Sequence, residues 1–224
     1  MDSANNLKIC VFGTNTLALD LVNFLKKKKI QIKYLATISK SKAKKNKILD
    51  YNFDNLFLYT NKINLYKCTN FNLDSRKDLN FFKKEKFDLG ICIGWQRILP
   101  ENILSQFKMG IYGWHGSYLK LPDGAGRSPI NWSIRMGQKK IFHTLFRYNR
   151  NCDAGEIFEI VKINIRNNDY FSDVKVKVNE HIKKSSFRLI NAIIKNKLVL
   201  TKQLKKKNKI FFPKISSNDL KIYS

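Results

Sequence analysis

Acidic residues are scarce in this chain: 17 aspartates and glutamates stand against 43 lysines and arginines, a net charge of +26 over 224 residues. Such a field attracts anions of any kind, whether a nucleotide, a polyglutamylated cofactor or tRNA, and by itself selects none of them. Only eight of the basic residues are arginine. The lysine excess, with abundant Asn, Ile, Phe and Tyr, has the look of AT-rich codon usage. Lys26–Lys29, Lys42–Lys47 and Lys205–Lys207 therefore read as solvated faces and loops rather than a built groove. Long hydrophobic runs are missing as well. No stretch approaches the roughly 20 apolar residues that span a bilayer. The start, MDSANNLKICVFG, is polar and then strand-like, unlike a signal peptide. The four cysteines, Cys10, Cys68, Cys92 and Cys152, show neither a CxxC pair nor zinc spacing. These absences lead us to expect a reduced, cytoplasmic protein with no metal and no membrane partner.

Glycine is sparse where a dinucleotide site would need it. The opening LKICVFG offers Gly13 alone in place of a three-glycine fingerprint, and no acid closes the second apolar run. What does follow Gly13 is informative. Leu17, Leu21, Phe24 and Leu25 recur at helical spacing, and IKYLATI (32–38) forms a second strand, which makes a β-α-β unit and the start of a parallel sheet. Residues 39–52 show no periodicity and read as a connection. Short strands are expected at 56–59 and 63–66, a helix at 76–86 and a buried strand within 87–95. Pro100 opens a helix toward Phe107, a strand then leads to His115, and Pro129 starts another helix. IFHTLFRY (141–148) and IFEIVKINI (157–165) read as a strand pair. Val174, Val178, Ile182, Leu189 and Ile193 mark a long amphipathic helix. The expectation is one α/β domain over residues 1–200, with 201–224 as a short extension of it.

Three histidines are present. His143 lies mid-strand and reads as structural or pocket-lining, and His181 reads as a surface residue beside Glu180, Lys183 and Lys184. His115 differs: it ends a strand between Gly113 and Gly116, and ligands of open α/β sheets bind beyond the carboxyl ends of strands. Asp153 comes 38 residues later in a Cys-Asp-Ala-Gly turn. No third residue completes a Ser-His-Asp or Cys-His arrangement. The pair suits proton shuttling around an acyl group and an amine without a covalent intermediate.

The segments Lys8–Gly13, FDLGICIGWQRILPENIL, HGSYLKLP, the Gly-Arg-Ser-Pro helix start and DAGEI resemble, in order, the formyltransferase family. Its members act on methionyl-tRNA, glycinamide ribonucleotide or nucleotide-linked amino sugars. The resemblance implies a Rossmann-like, mostly parallel sheet flanked by helices. It implies N10-formyltetrahydrofolate as co-substrate and a primary amine as acceptor, a nucleotide-linked amino sugar first among them. A tRNA acceptor is the lesser expectation, because the chain ends where the methionyl-tRNA branch would continue into an RNA-binding domain. By resemblance, His115 polarises the formyl carbonyl, and Asp153 orients it and helps take the proton of the attacking ammonium. Ile93, Gly94, Trp95, Ile98 and Leu99 would line the pterin pocket, largely through backbone groups, with Asn151, Cys152 and Ala154 closing over it. Ser117, Arg127, Asn131 and Arg135 are the acceptor-binding candidates. One departure stands out: the family motif is Asn-x-His, and Gly113 occupies the asparagine position. An impaired folate- or RNA-binding member and a hydrolase of the formyl donor are the competing expectations.

Overall fold

The computed structural model describes residues 7–48, 51, 53 and 62–215. The expected strand at 56–59 lies outside them. The chain divides into two compact units: residues 1–113 with 183–198, and residues 114–182 with 199–224.

The first unit begins with β1 (Ile9–Gly13), α1 (Thr16–Lys27) and β2 (Tyr34–Thr37). Next come α2 (Lys40–Lys45), β3 (Asn64–Lys67), α3 (Arg76–Glu85) and β4 (Leu89–Ile93). A short α4 (Glu101–Leu104) leads into β5 (Ile111–Ser117). Each neighbouring pair among β3, β2, β1, β4 and β5 is parallel. Every residue of β1 and β4 is buried, as continuous apolar runs covered on both faces must be. Lys26 and Lys27 close α1, where positive charge complements the carbonyl end of the helix. Gly13 is dictated by packing: a Cβ there would stand 2.3 Å from that of Ala18. Phe12, Phe82, Phe107 and Phe87 form one aromatic cluster, with ring centroids 5.3 to 5.8 Å apart in consecutive pairs.

Two features of this unit escaped the sequence pattern. The connection at 39–52 contains α2, started by Ser39, whose hydroxyl accepts from the Lys42 N–H at 3.4 Å. Asp78 is fully buried. It accepts from the Tyr66 hydroxyl (2.8 Å), the Thr69 N–H (2.9 Å) and the Ser75 hydroxyl (2.7 Å). Ser75 in turn caps α3 by accepting from the Asp78 N–H at 3.0 Å.

The second unit takes the end of β5, then β6 (Ala125–Gly126), α5 (Pro129–Arg135), β7 (Lys140–Arg147) and β8 (Ile157–Asn164). It also holds the first half of α6 (Phe171–Ile194) and β9 (Phe211–Phe212). β7 and β8 pair antiparallel, His143 opposite Val161 and Leu145 opposite Glu159, with a register shift after Leu145. β9 runs parallel to β6. Leu121, Ala125, Phe146 and Ile157 form a small core with Tyr148 against it. The strands hydrogen-bond in the order β3-β2-β1-β4-β5-β7-β8, the mostly parallel sheet that the alternation of elements predicts. No described helix is long and apolar enough to cross a membrane.

Candidate active site

β5 delivers His115 buried, 6% exposed, near the strand's carboxyl end. Its Nε2 lies 2.6 Å from the Gly124 carbonyl oxygen. A carbonyl only accepts, so Nε2 carries the proton. The other nitrogen, Nδ1, faces Oδ2 of Asp153 at 3.4 Å. The ring therefore has one edge fixed to the backbone and one edge turned to a carboxylate.

Asp153 sits in a turn shaped by its neighbours. The Asn149 side-chain oxygen accepts from the Asn151 N–H at 2.9 Å, an Asx turn. Asp153 itself has φ of 51°, a left-handed conformation that Asp tolerates better than most residues. Gly155 is required: a Cβ there would fall 1.5 Å from the Arg147 carbonyl oxygen. The carboxylate accepts from the Gly126 N–H at 3.0 Å and the Cys152 thiol at 3.4 Å. Partial burial, then the Asp153 charge and this hydrogen bond, push the Cys152 thiol up to about 12. The loop after His115 thus contacts both members of the pair, Gly124 through its carbonyl and Gly126 through its amide.

That loop is held by β9. Gly124 N–H donates to Ile210 O (2.9 Å) and Arg127 N–H to Phe212 O (2.8 Å). Asp123 accepts from Ile210 N–H at 3.1 Å and pairs with Lys206 at 2.6 Å. The Trp132 indole donates to Pro213 O at 2.8 Å. Gly126 has φ of 109°, and a Cβ on it would meet Phe212 O at 2.4 Å.

The remaining sequence candidates fall in several environments. Gly113 is buried in β5, paired with Cys92, on the same strand face as His115. Ser117 is fully buried, and its hydroxyl accepts from Leu119 N–H at 3.2 Å. Arg127 is exposed, Asn131 half-buried in the first turn of α5, and the Arg135 guanidinium lies over the Trp132 ring. Asn151 and Cys152 are exposed and Ala154 half-buried. In the first unit, Ile93, Trp95 and Leu99 turn their side chains into the core and Ile98 is 61% exposed. Gly94 has φ of 68°, and a Cβ there would crowd the Asn15 amide. The Trp95 indole N–H and the Asn15 side-chain oxygen are buried without a hydrogen-bond partner.

One polar cluster lay outside the sequence reading. His181, read as a surface residue, is only 7% exposed. Its Nδ1 lies 2.6 Å from Nδ1 of His143, and its Nε2 lies 2.7 Å from Oε1 of Glu159. Glu180, Lys183 and Lys184 gave no signal for this, because the partners come from β7 and β8. Burial, then the charges of His181 and His115, hold the His143 ring well below its ordinary value against a smaller opposing effect of Glu159. No group of three or more His, Cys, Asp or Glu residues among those described could hold a metal ion.

A Rossmann-like sheet thus carries a buried histidine beside an aspartate at a strand's carboxyl end. The chain belongs to the formyl transferase family, whose description matches residues 7–190. It is 31% identical over 132 residues to a methionyl-tRNA formyltransferase of Buchnera aphidicola, covering 59% of this chain and 41% of that protein. Against the Prochlorococcus marinus enzyme of the same name it is 28% identical over 175 residues, covering 77% and 52%. The chain thus spans about half the length of these curated relatives. Among solved structures, phosphoribosylglycinamide formyltransferase of Anaplasma phagocytophilum superposes with a TM-score of 0.71 at 17% identity, covering 93% of this chain and 99% of that one. An N-formyltransferase of Helicobacter canadensis, solved with folinic acid and dTDP-3-aminofucose, gives 0.66 at 17% identity, covering 95% and 72%. These structural likenesses are evidence of a shared fold.

Proposed function

We propose that the chain is a folate-dependent N-formyltransferase that moves the formyl group of N10-formyltetrahydrofolate to a primary amine, with a nucleotide-linked amino sugar as first candidate acceptor. The observation that carries this reading is the His115–Asp153 pair, one edge of the imidazole tied to Gly124 O and the other facing the carboxylate at 3.4 Å. The co-substrate, when bound, supplies an activated formyl carbonyl. His115 holds or releases a proton at Nδ1. Asp153 fixes that edge and receives the proton an attacking ammonium must lose before its nitrogen can bond the formyl carbon. The basic surface favours an anionic acceptor. All four cysteines are free, which suits the reducing cytoplasm. We further take residues 199–213 as part of the catalytic body, since β9 carries the loop that holds the pair.

Gly113 supports a second reading, that of an impaired member which binds folate or RNA. A missing oxyanion donor typically costs about 10²- to 10³-fold in rate. The test is mass spectrometry of candidate amines, a dTDP-amino sugar, glycinamide ribonucleotide and methionyl-tRNA, after incubation with the formyl donor. Formylation lost in His115→Ala is the expected result. No formylation of any amine, together with thermal stabilisation by tRNA alone that vanishes with salt, would establish the second reading instead.

A further inference from the structure

Gln203 lies in a stretch where Lys202, Leu204 and Lys205 face solvent, yet its own side chain is turned inward. Its Nε2 donates to two backbone carbonyls, those of Asp153 at 2.9 Å and Gly155 at 2.8 Å. Both acceptors are carbonyl oxygens, so the amide must present its NH2 end to them, and its orientation is set by chemistry. Its oxygen is left buried and without a hydrogen-bond partner. A residue serving packing alone would gain nothing from that arrangement.

We propose that Gln203 is a positioning residue for Asp153. It clips together the carbonyls of residues 153 and 155, holds the turn in which Asp153 takes a positive φ, and so aims the carboxylate at Gly126 N–H and His115 Nδ1. The proposal rests on reading His115 and Asp153 as the reacting pair. Its structural part stands without that reading. Neighbouring contacts act in the same sense: Ile157 and Thr201 exchange both backbone hydrogen bonds at 2.8 Å, which brings Gln203 back to the start of β8. The chain from 201 to 212 therefore supports both halves of the pair, Asp153 through Gln203 and the loop over His115 through β9.

NMR of the intact chain tests this without any substrate. In Gln203→Ala the Gly126 amide should exchange at least ten-fold faster and the His115 ring-nitrogen signals should move, while the Phe12 amide in β1 stays within two-fold. Gln203→Glu, equal in size but unable to donate, should behave like the alanine variant. Gln203→Lys, whose ammonium can reach both carbonyls, should restore the wild-type signals. With a competent amine, kcat should fall ten-fold or more with KM within two-fold, and Gln203→Ala should add no loss to an Asp153→Asn protein. Unchanged Gly126 and His115 signals in Gln203→Ala, equal acceleration at Phe12, or a wild-type-like Gln203→Glu would overturn the proposal. If the wild-type chain formylates no amine, the NMR result still decides the role of Gln203, and it is the reading of the site that has failed.

Discussion

Acidification should unfold this protein through His143. The ring is 2% exposed. It meets Nδ1 of His181 from α6, feels the charge of His115 from β5, and lies beyond His181 from the Glu159 carboxylate of β8. Burial comes first and the two histidines next, and together they keep the folded-state ring neutral well below its ordinary value. Above pH 6.5 folded and unfolded chains are both neutral at this position, and it contributes no pH dependence. As pH falls below about 6.5, the unfolded chain takes up a proton that the folded chain refuses. Stability is then lost at about 1.4 kcal/mol per pH unit until the folded value is reached. The unfolded-state value caps this loss at about 2 kcal/mol by pH 5, a sizeable part of the roughly 5–15 kcal/mol that holds a domain together. With a urea dependence of about 2.5 kcal/mol per molar, the midpoint should drop between pH 7 and 5 by no more than about 0.8 M. His143→Gln removes this titration and leaves the carboxylates and the other histidines in place. Its midpoint should therefore start lower at pH 7, from the lost contact with His181, and fall less steeply. Urea curves of the two proteins at half-unit steps give the comparison. Parallel slopes between pH 7 and 5 would refute the assignment of a proton-refusing ring at residue 143.

Cys152 is the exposed cysteine of the four, and its thiol stands near 12. Iodoacetamide at pH 8 should modify it about 10³-fold more slowly than an ordinary thiol near 8.5, and Asp153→Asn should speed the reaction. Gly155→Ala should cost more than 2 kcal/mol of unfolding free energy, the upper part of the roughly 1–3 kcal/mol range for overpacking, because its Cβ would overlap the Arg147 carbonyl; denaturant titration measures it. Gly113→Asn should raise kcat at least ten-fold by adding a side chain on the strand face of His115, as read by product mass spectrometry, whereas His115→Ala should abolish turnover.

The parts of the molecule legible in the sequence are those whose contacts repeat along the chain. The unbroken apolar run of β1 and the helical spacing of Leu17, Leu21 and Leu25 announced a β-α-β start. The strand pair flanking Asp153 could be read as well, since β7 and β8 are neighbours joined by one turn. The glycines beside His115 and the Ala-Gly turn after Asp153 pointed to a site at the strand ends, and the fold brings that histidine and aspartate within 3.4 Å. What stayed hidden depends on distant partners. His181 sits among charged neighbours, so its pattern resembles a wet helix face, and only β7 and β8 reveal the buried side. Gln203 lies beside a lysine run with no periodicity. Four of the six residues of α2 are lysine, and its single buried residue, Ala43, leaves no apolar stripe to detect.

The pairing of β6 with β9 joins Gly126 to Phe212 across most of a hundred residues of intervening chain. A ribosome extends a polypeptide by about 5–20 residues per second, so the loop carrying Gly124 and Gly126 is made several seconds before the strand that fixes it. Contacts this far apart in sequence form slowly and late. β1, α1 and β4 can assemble while synthesis continues, but His115 and Asp153 acquire their shared loop geometry only once residue 212 has emerged. The loop between His115 and Asp153 is therefore among the last parts of the described chain to be fixed.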